Sequence, residues 1–132
     1  MFIINIDNFD VNKKIEINNS DGELRYWSQP DFSYKRRTHL YDSNDNEIGY
    51  IQYKVLSIQD RNDVYNKEDK PILFDGFVIK NRQSIWNYEI FKDDVLIAHI
   101  EENNGKVTIE ILNEDFVDKC MLLVYSNFDL GE

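Results

Sequence analysis

Apolar and polar residues alternate along several stretches of the chain. Val107, Ile109 and Ile111 fall on one face of an extended segment, with polar residues between them. Such alternation is typical of β-strands that are buried on one side. Short clusters of Asn, Asp and Gly separate these stretches, and the cluster at 103–106 contains the Asn-Gly pair that favours a type I′ hairpin turn. We therefore predict a mainly β chain built from hairpins.

The predicted turns recur at a fixed period. Asp21, Asp45, Asp69 and Asp93 are each 24 residues apart, and an aliphatic residue follows each of them three positions later. Each unit has the pattern strand, acidic turn, strand. This regular spacing indicates an antiparallel meander that closes into a barrel or folds into a sandwich.

The last stretch of the chain has a different pattern. Asn113 can cap a helix, and Glu114 and Asp115 suit the positive end of a helix dipole. Apolar residues between 116 and 128 fall at helical spacing but cover nearly every side, which is typical of a buried helix. A central strand over 121–125 is the open alternative. A helix inside a closed sheet would explain both the capping residues and the missing polar face.

Length and composition indicate one domain. The chain has 132 residues, of which 42% are hydrophobic, enough for one core without disulfide or metal. Its single cysteine, Cys120, lies in an apolar run, and the chain shows neither a signal peptide nor an apolar stretch of about 20 residues. We predict one cytoplasmic domain over 1–132, with hairpin repeats over about 13–112 and a buried helix over about 114–128.

The formal net charge of −10 excludes some partners and favours others. Nucleic acids and anionic membranes attract Lys and Arg, so an acidic chain is repelled by both. An acidic surface instead steers a protein toward a basic partner. We expect no direct nucleic-acid binding.

The densest basic cluster is Lys35-Arg36-Arg37, which follows Trp27 and Tyr34. Aromatic and basic side chains together can hold a phosphate or a nucleobase by charge and stacking. The alternative, which we favour, is a strand whose basic side chains pair with the abundant carboxylates.

Two carboxylate pairs, Asp93-Asp94 and Glu101-Glu102, are candidates for electrostatic contact with a partner. Acid–base catalysis would need two carboxylates in a shared cleft, whereas sequence neighbours on a strand point to opposite faces. We therefore interpret both pairs as turn and rim charges.

No metal or catalytic pattern is complete. The segment 42–46 resembles the opening of a calcium loop but lacks the glycine and the final glutamate that such loops need. His39, His99 and Cys120 are too few for a structural zinc site, and Cys120 lies where a thiolate is disfavoured. We predict a protein that is not an enzyme and has no cofactor or metal.

Three stretches, 41–57, 88–100 and 116–129, resemble the LURP-one-related family, which belongs with the tubby C-terminal-like fold. The resemblance implies a β-barrel of about a dozen short strands around a central helix near the C-terminus. We therefore predict an antiparallel meander closed into a barrel of about 10–12 short strands, with a buried C-terminal helix. The third unit, 64–74, departs from it, because it runs into Asp75-Gly76 without a long following strand. Tubby-like relatives bind phosphoinositides through basic pockets, which implies a lipid-binding alternative.

The function that these patterns predict is a non-catalytic acidic binding module. We expect a protein–protein inhibitor of the immunity or anti-defence type, bacterial or phage-encoded and then acting in the host cytoplasm, whose target carries a basic, nucleic-acid-binding surface. The alternative is a phospholipid or small-ligand binding protein.

Overall fold

The computed structural model of the protein describes residues 1–5, 13–31, 37–55 and 60–128. Ten strands fill most of this part of the chain. They are β1 (Phe2–Asn5), β2 (Ile15–Asn19), β3 (Leu24–Asp31), β4 (Arg37–Asp42), β5 (Glu47–Val55), β6 (Asp60–Tyr65), β7 (Phe77–Ser84), β8 (Asn87–Lys92), β9 (Val95–Asn103) and β10 (Lys106–Ile111). A 3₁₀ turn, Glu114–Phe116, then leads into one α-helix, α1 (Val117–Phe128).

The strands form a single antiparallel sheet in the order β6-β5-β4-β3-β2-β1-β10-β9-β8-β7. The predicted meander is confirmed. The first and last strands of the chain, β1 and β10, pair with each other in the middle of this sheet, with Phe2 opposite Ile109. Because every neighbouring pair is one odd and one even strand, all even-numbered strands run in the same direction and end at the same edge of the sheet.

The prediction of a closed barrel is wrong. Within the described residues β6 and β7 share no ladder, so the sheet is open between them. After the turn at 66–70, the chain pairs with β6 only through the bridge Tyr65–Pro71 and the bond from the Ile72 N–H to the Val64 carbonyl. Proline has no N–H to donate to a ladder, so this return strand stops at once. The third repeat unit therefore supplies no strand to close the wall.

Three of the predicted turns are the same turn. In each, the side-chain oxygen of the first residue, Asn19, Asp42 or Asn66, accepts the N–H groups two and four positions later. The fourth residue has a positive φ: Gly22 at +83°, and Asp45 and Asp69 at +64°. Aspartate tolerates this conformation better than most residues.

The fourth repeat turn is of another kind. Asp93 and Asp94 both have positive φ, +50° and +68°, in a two-residue hairpin turn between β8 and β9. This pattern is that of a type I′ turn, and Asn104-Gly105 forms a second one between β9 and β10. The 24-residue period thus places turns correctly but covers two turn types.

The C-terminal segment is a helix, which settles the alternative left open by the sequence. Asn113 accepts the N–H of Asp115 and caps the 3₁₀ turn that begins it. Five side chains of α1 are buried under the sheet: Cys120, Met121, Leu122, Val124 and Tyr125. No helix in the described ranges has the length and apolarity to cross a membrane.

The inner face of the sheet supplies the other half of the core. Its fully buried side chains include Ile4, Ile17, Leu40, Ile90 and Ile109, one from each of five strands. Two hydroxyl groups fix the helix to β3: Tyr26 donates to the carboxylate of Asp118 at 2.7 Å, and Tyr125 donates to Ser28 at 2.9 Å. The helix is therefore held at its start and near its end by one strand.

Candidate functional site

The edge where the even-numbered strands end is strongly acidic. The turns 19–23, 42–46, 66–70 and 93–94 meet there, together with the segment 113–118 that starts the helix. We call this edge the acidic rim. Its carboxylates are Asp21, Glu23, Asp42, Asp45, Glu68, Asp69, Asp75, Asp93, Asp94, Glu114, Asp115 and Asp118, and its lysines are Lys67, Lys70, Lys92 and Lys119.

The opposite edge of the sheet carries mixed charge. Among the described residues, the strand ends there carry both signs of charge: Lys13, Lys14, Arg37 and Lys106, and also Asp31, Glu101 and Glu102. The described residues therefore carry a larger excess of negative charge at the acidic rim than at the opposite edge. A protein with this separation presents a directional field to a charged partner.

The two predicted carboxylate pairs lie at opposite ends of β9. Asp93-Asp94 precede the strand on the acidic rim, and Glu101-Glu102 are close to its far end. At 3.4 Å per residue the two pairs are roughly 25 Å apart, so they cannot contact one partner group together. The pair Glu101-Glu102 does point to opposite faces, because Glu101 lies opposite half-buried Thr108 and Glu102 opposite buried Val107.

Both members of Asp93-Asp94 already have cationic neighbours. The Lys92 ammonium lies 2.8 Å from the Asp93 carboxylate, and the Lys80 ammonium lies 3.8 Å from that of Asp94. Asp21, Glu23 and Glu68 are also exposed on the rim, and within the described part of the chain none of them has a cationic neighbour of this kind.

Trp27 belongs to a closed cluster on the outer face of the sheet. Its ring stacks on Tyr41, with centroids 4.2 Å apart and an interplanar angle of 17°. The Lys14 ammonium lies 4.8 Å from the ring centroid. The indole N–H donates to the carboxylate of Asp45 at 2.9 Å. With these three contacts, Trp27 is occupied by its own chain.

The same cluster occurs a second time, one unit further along the chain. Tyr50 stacks on Tyr65 at 5.2 Å and 23°, lies under the Arg37 guanidinium at 4.7 Å, and donates its hydroxyl to Asp69 at 2.7 Å. Arg37 and Tyr50 lie 23 residues after Lys14 and Trp27, whereas Tyr65 and Asp69 lie 24 residues after Tyr41 and Asp45. We call the two clusters the first and second aromatic modules.

The modules explain two of the four periodic aspartates, Asp45 and Asp69. Asp45 and Asp69 each accept a hydrogen bond from an aromatic side chain that follows the preceding turn, so each turn is fastened to the unit before it. At the next unit the equivalent aromatic position is Phe74, which has no donor, and Asp93 contacts Lys92 instead.

Burial and the bond to Asp69 raise the pKa of Tyr50 to about 12.

Of the predicted basic cluster, only Arg37 lies within the described residues; Tyr34, Lys35 and Arg36 lie outside them. The Arg37 guanidinium donates from Nε to the Gln52 amide oxygen at 3.1 Å and covers the Tyr50 ring. Its role is therefore within the second aromatic module.

Each of the two histidines lies between carboxylates on the outer face. His39 Nδ1 is 2.7 Å from Glu47, and its Nε2 is 3.7 Å from Asp31. His99 Nδ1 is 3.4 Å from Glu89, and its Nε2 is 3.4 Å from Glu101. Among the described residues, no group of three or more histidine, cysteine or acidic side chains is arranged to hold a metal ion.

Cys120 is not placed to act as a nucleophile. It is fully buried in α1, and burial raises the pKa of its thiol to about 12. A thiol at this position stays protonated at neutral pH and packs as a small apolar side chain.

The outer face also holds a cavity of about 270 Å³ beside His99. It arises because the register between β7 and β8 shifts between Lys80 and Ser84, where Asn81 takes a φ of +58°. No pattern in the sequence pointed to this cavity, since a bulge of this kind has no alternating signal. The acidic rim, by contrast, could have been predicted from the sequence. In an antiparallel meander every second turn lies at the same edge of the sheet, and the acidic turns are the ones that share this edge.

Comparison with known proteins identifies the fold. The chain is similar to the X-ray structure of a protein from Arabidopsis thaliana, with a TM-score of 0.59 over 97% of this chain and 90% of that chain. Sequence identity is 13%, so the likeness concerns the fold alone. No family model and no curated protein matches the chain. The resemblance to the LURP-one-related family stays a prediction.

Proposed function

We propose that this protein is a non-catalytic binding module whose acidic rim contacts a basic surface of a partner protein. The observation that carries the proposal is the convergence of the repeat turns and the helix start on one edge of the sheet. Carboxylates arranged in this way attract a basic surface at long range and reject an acidic one. An inhibitor of the immunity or anti-defence type, which covers a basic nucleic-acid-binding surface, is the specific role we propose.

The rim suits binding better than it suits chemistry. Its turn carboxylates Asp42, Asp45 and Asp69 accept hydrogen bonds from their own turn or from an aromatic module, which holds the backbone of the rim in place. The carboxylates that extend beyond these bonds are exposed, and exposed ion pairs contribute to on-rate and specificity more than to stability.

The alternative of a phospholipid or small-ligand binder rests on the basic cluster 35–37. Arg37 is occupied by Gln52 and Tyr50, which leaves this alternative with less support than the acidic rim has. Co-sedimentation with vesicles containing phosphoinositide tests it directly, and sedimentation that depends on Lys35 and Arg36 would favour it.

The test compares two variants that each remove four of the chain's negative charges. Both sets lie on described, solvent-accessible positions. The rim variant is Asp21→Asn, Glu23→Gln, Glu68→Gln and Asp75→Asn, and the control variant is Glu16→Gln, Asp31→Asn, Glu102→Gln and Glu110→Gln.

Tagged wild type and both variants are used to capture partners from lysate of the source cell at low and moderate salt, with mass spectrometry. Affinity for the purified partner is then measured by calorimetry. We expect one stoichiometric basic protein that the wild type and the control retain and that moderate salt releases. Four exposed ion pairs at roughly 0.2–1 kcal/mol each sum to about 0.8–4 kcal/mol, which predicts binding about fourfold to a thousandfold weaker for the rim variant. Equal affinity of the two variants would refute the rim as the contact surface.

A further inference from the structure

The cavity beside His99 lies on the outer face of the sheet, away from the acidic rim. Its floor is the pair β8–β9, and the bulge of β7 forms one wall. Six polar side chains surround it: Asn81, Gln83, Asn87, Glu89, His99 and Glu101. A volume of about 270 Å³ is at or below the lower end for small-molecule sites, which suits a single functional group rather than a nucleotide.

Carboxylate acceptor sites outnumber cationic donors around the cavity. His99 lies between two carboxylates, each 3.4 Å from one of its ring nitrogens. Its two ring nitrogens supply at most two N–H groups, whereas the two carboxylates together offer about eight lone-pair sites. A cation with several N–H donors would fill acceptor sites that His99 leaves open.

The nearest lysine does not supply that cation. Lys80 lies opposite Glu89 in the register of β7 and β8. Its ammonium instead points toward the rim, 4.7 Å from the Phe91 ring and 3.8 Å from the Asp94 carboxylate. On the other side, the residue opposite His99 in β10 is a further carboxylate, Glu110. The Arg82 guanidinium is also engaged elsewhere, 5.7 Å from the Tyr88 ring centroid and donating to Asn127 at 3.2 Å. Among the described lining residues, the ionisable side chains other than Tyr88 are therefore the carboxylates Glu89 and Glu101, together with His99.

The polar atoms of the wall suit a flat donor with several N–H groups. Asn81 lines the cavity and donates a hydrogen bond from its amide nitrogen to the Glu89 carboxylate at 2.6 Å. Its side-chain carbonyl oxygen remains a hydrogen-bond acceptor. The carboxylates of Glu89 and Glu101 add acceptors on either side of His99. A guanidinium group presents five N–H donors in one plane and stacks on flat rings, whereas an ammonium is a point charge with three.

From this geometry we infer that the His99 cavity is a binding site for a guanidinium group. The group comes either from a free guanidino compound or from an arginine side chain of a bound protein. The inference does not rest on the proposed function of the acidic rim, because the two surfaces share no residue.

The test is a titration of the ¹⁵N-labelled full chain, followed by NMR, with methylguanidinium chloride as the probe. Methylammonium chloride at equal ionic strength is the matched ligand control. We expect saturable shifts confined to residues around the cavity, with a dissociation constant on the order of 1–10 mM for a ligand of this size. Methylammonium should bind at least about fivefold more weakly, since it cannot form the planar set of bonds.

Two variants separate a site from a general ionic effect. Glu89→Gln/Glu101→Gln should abolish saturation, and the single variant Glu101→Gln, at a half-exposed position, serves if the double variant does not fold. Glu102→Gln changes the neighbouring residue on the opposite face and should bind as the wild type does. Shifts that stay linear with concentration, or that are equal in the wild type and in Glu101→Gln, would overturn the inference.

A third probe distinguishes the two sources of the group. The peptide acetyl-Gly-Arg-Gly-amide presents the same guanidinium on a polypeptide backbone. Binding of the peptide at least as tight as that of methylguanidinium supports an arginine of a partner protein. Exclusion of the peptide while methylguanidinium binds supports a free guanidino compound.

Discussion

A single methyl group at Gly49 should destabilise the contact between sheet and helix. Gly49 lies in β5, opposite Leu40 of β4, and is buried. A Cβ atom at this position would lie 2.7 Å from the Tyr65 carbonyl oxygen and 3.1 Å from Leu122 Cδ2. The first distance is shorter than real contacts allow and involves backbone, so β5 and β6 must separate or α1 must shift.

The size of the effect follows from these two contacts. Overpacking a core site costs about 1–3 kcal/mol, and weakening a ladder hydrogen bond costs about 0.5–1.5 kcal/mol. We therefore expect Gly49→Ala to lower the free energy of unfolding by about 2–4 kcal/mol. For a domain of this length, such a loss lowers Tm by about 10 °C.

Urea unfolding followed by circular dichroism measures the change, with an unchanged m-value as the sign that only stability differs. Gly22→Asp is the matched control, since no atom lies within 4 Å of a Cβ there and aspartate occupies the equivalent position in the other two turns. It should stay within about 1 kcal/mol of the wild type, because aspartate tolerates a positive φ. A loss below about 0.5 kcal/mol for Gly49→Ala would show that the helix and sheet are not in the close contact described.

Three further predictions concern hydroxyl and thiol groups. Tyr50→Phe removes a hydrogen bond to a charged group and should cost about 1–2 kcal/mol, and a double-mutant cycle with Asp69→Asn should show coupling; additive effects would contradict the bond. Because the pKa of Tyr50 is raised to about 12, its contribution to stability is complete below about pH 10 and is lost as the pH rises from there through about 12. Urea midpoints across this range should fall less steeply in Tyr50→Phe, and equal slopes would argue against the shift. Cys120, the single cysteine, should react with a thiol reagent no faster than the chain unfolds, which a mixing experiment with increasing urea checks; prompt labelling of the native protein would contradict its burial.

Local sequence patterns were sufficient to predict the strands and the helix, but not to predict whether the sheet closes into a barrel. The hairpins and the helix could be predicted because alternation, Asx turns and the cap at Asn113 are local signals. The open edge between β6 and β7 depends on Pro71, which ends the return strand after one bridge. Pro71 is visible in the sequence. Its effect on whether the sheet closes, however, depends on which strand the segment after the turn would have paired with.

The candidate sites required register as well as pattern. The partners of Asp45 and Asp69 lie 18 and 19 residues earlier, across a strand boundary, so nothing local links them. The candidate contacts Asp93-Asp94 and Glu101-Glu102 stay a prediction, and the strand β9 that separates the two pairs sets a distance that the charge pattern alone does not give. The interpretation of Asp42–Asn46 as an acidic turn between two strands is confirmed by the bonds from Asn44 and Asn46 to the Asp42 side chain.

The two aromatic modules have a consequence for how the chain folds. Strands that carry nearly identical patterns can pair one whole unit out of place without turning any side chain to the wrong face, so alternation alone does not reject the error. The size of the side chains does oppose the error, because a mispaired chain would place Trp27 against Tyr65 and Asp69, in the space that the smaller Tyr50 occupies. We therefore expect the size difference between tryptophan and tyrosine at these matched positions to disfavour the shifted pairing, and the variant Trp27→Tyr to populate it more than the wild type does.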